Sequence, residues 1–160
     1  MKKLLFFVAT SLLIISCGKN GVKNESQIKV EMNKFIDSWH QNAAEGNFDA
    51  YFDAIAEDGC FLGTDPSENW NKKQFMKYSK PHFADGSAWS FAPYKRNIFV
   101  YNDSNLVWFD ELLRTPFGVC RGSGVICFEK DKWVIKHYNL ALTKPNNEIK
   151  SIQEELNSIK

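Results

Sequence analysis

Histidine is scarce in this chain: three in 160 residues, at positions 40, 82 and 137, with no HExxH spacing among them. Paired CxxC spacings are missing as well, so no metal site is expected and no cofactor is implied. Neither sign of charge is in excess. Twenty Lys and Arg face nineteen Asp and Glu, a formal charge of +1, which supplies no broad positive field for nucleic acid or anionic lipid. No internal repeat is visible, and no apolar run reaches the roughly 20 residues of a membrane-spanning helix. What the chain does have is aromatic rings: thirteen Phe, five Trp and five Tyr, within a hydrophobic share of 44%. That composition excludes a disordered or fibrous protein, and the length fits one globular domain around one core.

Lys2 and Lys3 precede a mostly apolar stretch over residues 4–15, the layout of a secretory signal peptide. Twelve helical residues span about 18 Å, short of the ~30 Å hydrocarbon core, so this stretch is read as a cleaved leader over residues 1–16. Ile14 and Ser16, placed just before Cys17, resemble the lipobox of bacterial lipoproteins. The resemblance implies a lipidated Cys17 and a place in the bacterial cell envelope, held to a membrane through that anchor. Gly18 stands where an Asp would resemble an inner-membrane retention signal, which points to the outer membrane. Several acyl chains on one residue give durable anchoring, since each buried methylene contributes about 0.8 kcal/mol. Residues 17–26 are then the lipidated cysteine and a polar tether. Without the leader, eighteen basic side chains face nineteen acidic ones.

Ile28, Met32, Phe35, Ile36, Trp39 and Ala43 fall at helical spacing, which predicts a long amphipathic helix over residues 27–44 with Ser26 as N-cap and Gly46 as stop. Asn47 opens a shorter helix that ends before Asp58-Gly59. Residues 60–64 read as a short buried strand. Asn71 and Gln74 stand at capping-box spacing, which predicts a helix over residues 72–80 ended by Pro81. Beyond it, β-rich runs over residues 89–94, 97–101, 106–113, 119–129 and 133–143 alternate with turn residues, so the last four strands should form an antiparallel meander. Helices first and sheet afterwards makes an α+β fold. Ile149, Ile152, Leu156 and Ile159 repeat at three-four-three spacing, so residues 146–160 are a helix on the domain or on a second subunit, or a frayed tail.

This order of elements resembles the nuclear transport factor 2-like superfamily, and within it the SnoaL-like branch, over residues 27–145. The carrying segments are Cys60-Phe61-Leu62-Gly63-Thr64-Asp65 with Glu68 and Trp70, Trp108-Phe109-Asp110-Glu111, and Arg121-Gly122-Ser123-Gly124-Val125. The closing run from Trp133 through Ile135 and His137 to Leu142 completes them, with Asn139 where many relatives carry a second His. The resemblance implies a cone-shaped, curved antiparallel sheet packed against N-terminal helices, a roll of cystatin-like kind. It also implies an apolar cavity between the long helix and the sheet. The superfamily holds isomerases, dehydratases, cyclases and binding modules, so the fold by itself selects no activity.

Alternation along the strand from Leu106 groups Trp108, Asp110 and Leu112 on one face and Phe109, Glu111 and Leu113 on the other, so only one carboxylate can point inward. Asp110 is the expected inward carboxylate, and Arg121 falls with Ser123 and Val125 on one face of the neighbouring strand. Asp110 and Arg121 could then form a charge-assisted pair, as a base and an anion clamp in the cavity or as a structural ion pair. On the last strand Trp133, Ile135, His137 and Asn139 share a face, which puts His137 and Asn139 among apolar neighbours. Asp65, Glu68 and Trp70 border the cavity mouth. Gly122 and Gly124 suit a close backbone approach or a bulge rather than a dinucleotide loop. Cys60 can pair with Cys120 or Cys127, or stay free, and no His stands beside a Cys in the sequence to make a nucleophile.

Three functions fit these residues. One is a module binding a small, mostly apolar ligand in the cone. Another is an enzyme of isomerase, cyclase or dehydratase type, moving a proton next to a carbonyl with Asp110 or His137 as base and Arg121 steadying the oxyanion. The third is a non-catalytic homodimeric scaffold. No nucleic-acid partner is expected.

Overall fold

The computed structural model describes residues 23–101 and 105–158. The leader, Cys17 and most of the tether lie outside the described residues, as do residues 102–104 and Ile159.

Helix α1 (Glu25–Ala44) starts two residues before the expected position. Its N-cap is Asn24 rather than Ser26, because the Asn24 side chain accepts from Gln27 N while the Gln27 side chain accepts from Asn24 N, a reciprocal capping box. Its buried stripe is Ile28, Met32, Ile36, Trp39 and Ala43, together with His40. Gly46 follows at φ 69°, and a Cβ there would come within 2.7 Å of the Gly86 carbonyl carbon, so this turn takes only glycine.

Helix α2 (Phe48–Asp53) is shorter than the sequence suggests. Strand β1 (Ile55–Leu62) begins where the helix was expected to continue, because Ala54 O and Ile55 are already tied to the last strand. A three-residue strand β2 (Asn69–Asn71) pairs with it and is too short to leave a sequence pattern. Asn71 then caps α3 (Lys72–Ala84) through the expected capping box with Gln74. Pro81 sits inside α3 instead of ending it. The last turn survives the missing N–H because Phe83 is buried against Phe48, Tyr51 and Trp89. Burying a ring of that size contributes about 1.5–3 kcal/mol.

The sheet continues with β3 (Ala92–Val100), β4 (Leu106–Thr115), β5 (Gly118–Glu129) and β6 (Lys132–Leu142). These four form the meander, and the two runs expected over residues 89–101 are one strand whose register shifts between Pro93 and Lys95. The β5–β6 hairpin turns on Lys130 and Asp131, both at positive φ, as a two-residue type I′ turn requires. Strand order is β2-β1-β6-β5-β4-β3, antiparallel throughout except for the parallel β1–β6 pair. The chain is therefore an α+β fold with a curved six-stranded sheet, one face under the helices and one face open. Helix α4 (Asn146–Ser158) follows, with Ile149 and Ile152 exposed. Among the described residues no helix is long and apolar enough to cross a membrane.

Candidate functional site

The space between α1 and the sheet is filled. Trp39, Tyr51 and Tyr138 interlock there, with Trp39 stacked on Tyr51 at 5.0 Å and edge-on to Tyr138 at 4.8 Å. An open cavity between the long helix and the sheet is thus corrected to a packed core.

Within that core lies one charged cluster. Glu111, wholly buried, accepts from Arg96 Nε and Nη2 on Oε2 at 2.9 and 2.8 Å. Its Oε1 lies 2.7 Å from His40 Nε2 and accepts from the Tyr138 hydroxyl at 3.1 Å. Burial pushes the Glu111 carboxyl upward, but the hydrogen bond and charge of His40, with those of Arg96, outweigh it and hold the carboxyl below its ordinary range. Burial and the Glu111 charge raise the Tyr138 hydroxyl well above its usual value. Arg96 Nη1 also reaches Asp37 at 2.8 Å, which ties α1 to the sheet. Opposite Glu111 in register stands Gly122, where a Cβ would overlap the Tyr138 hydroxyl, so the glycine makes room for the cluster.

One end of the core opens into a hollow of about 180 Å³. Its walls are flat rings from separate elements: Phe61 of β1, Trp70 of β2, Phe75 and Tyr78 of α3, and Trp89 and Phe91 ahead of β3. Tyr78 stacks on Trp70 at 4.4 Å, Trp70 on Phe75 at 5.5 Å and Phe75 on Phe61 at 4.0 Å, all within 26° of parallel. Thr64, Glu68 and His82 supply polar groups at the rim. The Tyr78 hydroxyl is raised by its burial and by the nearby Glu68 charge. Glu68 folds back beneath Gly63 and accepts from Asp65 N at 3.2 Å.

Of the sequence candidates, Glu68 and Trp70 line this hollow, while Asp65 is exposed and spends its carboxylate on Ser67 N and Oγ as turn chemistry. Asp110 and Arg121 do not enter the interior. The alternation is as read but the face is reversed: Phe109, Glu111 and Leu113 point to the helices, and Asp110 bonds Asn97 Nδ2 at 3.0 Å on the open face. Arg121 is exposed and in register with Leu112, so the expected Asp110–Arg121 pair is replaced by Arg96–Glu111. His137 and Asn139 also lie on the open face. A register shift leaves Lys136 as an extra residue between Ile135 and His137, so Tyr138 and Leu140 are the inward residues beyond it.

That shift has a second result. Cys60 and His137 are register partners on β1 and β6, and Cys60 Sγ lies 3.1 Å from His137 Nδ1. The sequence shows no His beside a Cys because 77 residues separate these two. Cys60, Cys120 and Cys127 are all free, so neither pairing considered for Cys60 forms. Glu111 is the inward carboxylate in place of Asp110, and neither His40 nor Arg96 stood among the candidates. The signal for Glu111 was its alternation with Phe109 and Leu113 opposite two glycines. Among the described residues no group of three or more His, Cys, Asp or Glu is placed to hold a metal.

A search of curated proteins finds no match. Among solved structures, the chain is similar to a nuclear transport factor 2-like protein of unknown function from Pseudomonas putida KT2440. That match has 10% identity and a TM-score of 0.65, covering 79% of this chain and 94% of that one. A protein of unknown function with a cystatin-like fold from Nostoc punctiforme matches at 11% identity and TM-score 0.59, over 77% of this chain and 95% of that one. The association domain of the calmodulin-dependent kinase II of C. elegans matches at 11% identity and TM-score 0.59, over 74% and 98%. The SnoaL-like domain model matches residues 32–144. With that span covering most of the sequence and the fold agreeing, the chain belongs to the SnoaL-like domain family.

Proposed function

We propose that this protein is a membrane-anchored binding module of the bacterial cell envelope, held through a lipidated Cys17, with the outer membrane favoured, and that it takes a small, flat, mostly apolar ligand into the ring-walled hollow. The observation that carries this reading is the run of near-parallel rings Tyr78, Trp70, Phe75 and Phe61 along a hollow with its polar groups confined to the rim. An apolar cavity of about 150 Å³ takes a benzene ring, so a volume of about 180 Å³ suits one ring with a small polar substituent. Such a ring would stack on Trp70 or Trp89 while its polar tip meets Thr64, Glu68 or His82. Binding is favoured over proton transfer because Glu111, the buried carboxylate, has both oxygens occupied by Arg96, His40 and Tyr138.

The test is a fluorescence titration of the full chain in detergent with phenol and with indole. Saturable quenching is expected, weakened by roughly tenfold in Trp70→Ala while circular dichroism stays unchanged; a wild-type signal that never saturates overturns the reading. In cells, the chain should sediment with membranes and Cys17→Ser should not; a wild-type chain found in the soluble fraction overturns the anchor.

Exposed Phe99 and Trp108, stacked at 5.5 Å on the open face, favour a second copy of the chain as a partner there. Sedimentation at micromolar concentration should show two copies per particle and one for Trp108→Ser. A monomeric wild type sinks this arrangement.

A further inference from the structure

The three described thiols occupy three different settings. Cys120 is fully buried and touches Thr115 Oγ1 at 3.6 Å. Cys127, partly buried, has its thiol pushed up by burial, with Lys136 opposing and Glu129 and Asp58 adding to the rise. Cys60, also partly buried, is the one with a base in contact: His137 Nδ1 at 3.1 Å, on rigid neighbouring strands of the sheet. A thiol reacts through its thiolate, so a fixed acceptor for the proton decides which of the three is a nucleophile.

We propose that Cys60 and His137 form a nucleophilic thiol site that reduces a small hydroperoxide, on the open face and separate from the ring-walled hollow. His137 Nδ1 takes the Cys60 proton, and the sulfur lone pair attacks the terminal oxygen of the hydroperoxide. The S–O bond forms as the O–O bond breaks. The leaving alkoxide or hydroxide takes the proton back from His137, so the products are Cys60 sulfenic acid and an alcohol or water. Sulfur loses two electrons and the peroxide gains them. The partial cover over Cys60 admits a small electrophile, and His137 holds the proton that the leaving oxygen needs. The open face beyond His137 is apolar, with Val125 and then Trp108 in register.

The experiment treats the full chain in detergent with hydrogen peroxide and dimedone and follows each thiol by peptide mass spectrometry. Cys60 should be labelled at least roughly tenfold faster than Cys127 and Cys120, and faster than Cys60 in urea-unfolded chain. His137→Gln should bring the Cys60 rate down to that of Cys127, with the thermal midpoint used to check folding. A Cys60 rate no higher in the folded chain than in the unfolded one overturns the proposal, whatever the variant does. An unchanged rate in a folded His137→Gln chain overturns it too.

Discussion

Strand β4 carries two surfaces with opposite physics. Toward the helices it presents Val107, Phe109, Glu111 and Leu113, none more than 2% exposed, while toward the open face it presents Trp108, 40% exposed, and Asp110. Each face holds a carboxylate one residue from the other, and their surroundings decide their work. Glu111, out of water, carries four polar contacts and joins β3, β4, β6 and α1. Asp110, near water, has one side-chain amide and is replaceable. Burial converts a charge from a surface ornament into a constraint, because an unpaired ion there is too costly to leave.

The comparison can be broken at its strongest point by removing the cation. Arg96→Met leaves Glu111 buried with only His40 and Tyr138, and should cost about 3–5 kcal/mol in urea unfolding; a loss under about 1 kcal/mol would mean water reaches the cluster. Acid sharpens the contrast. The folded Glu111 carboxyl titrates below its ordinary value of 4.5, so its stabilisation is complete above that pH and is lost as pH falls through the folded value. The difference in stability between wild type and Glu111→Gln should therefore shrink as the pH falls below about 4.5, while the exposed acids common to both cancel. The smallest effect belongs to the open face, where Asp110→Asn and Arg121→Ala should each stay within about 0.5 kcal/mol of wild type. A larger loss at Asp110 would show that its carboxylate, unlike the rest of the strand's exposed face, is held out of water.

Much of the fold was legible because it is local. The helical stripe from Ile28 to Ala43, the Asn71–Gln74 capping box and the β4–β5 and β5–β6 hairpins rest on contacts within a few residues. The choice of face on β4 was not, since Trp108 and Leu112 are as apolar as Phe109 and Leu113, and only the helices packed above decide between them. One extra residue, Lys136, inverted the reading of β6, because a period of two has no memory beyond a bulge. Cys60 and His137 meet through a strand pairing that no spacing encodes.

That parallel pairing of β1 with β6 also bears on how the chain comes together. Partners 77 residues apart must find each other before the early helices have a finished floor, and such closures are slow. A ribosome that has made only the first hundred residues has delivered Phe61, Trp70 and Phe75, which can stack on one another, but not Tyr138, the ring that Phe61 meets on the last strand. Maturation waits on the final strand, and a stop codon just before Lys132 would release a chain whose first strand has lost its parallel partner.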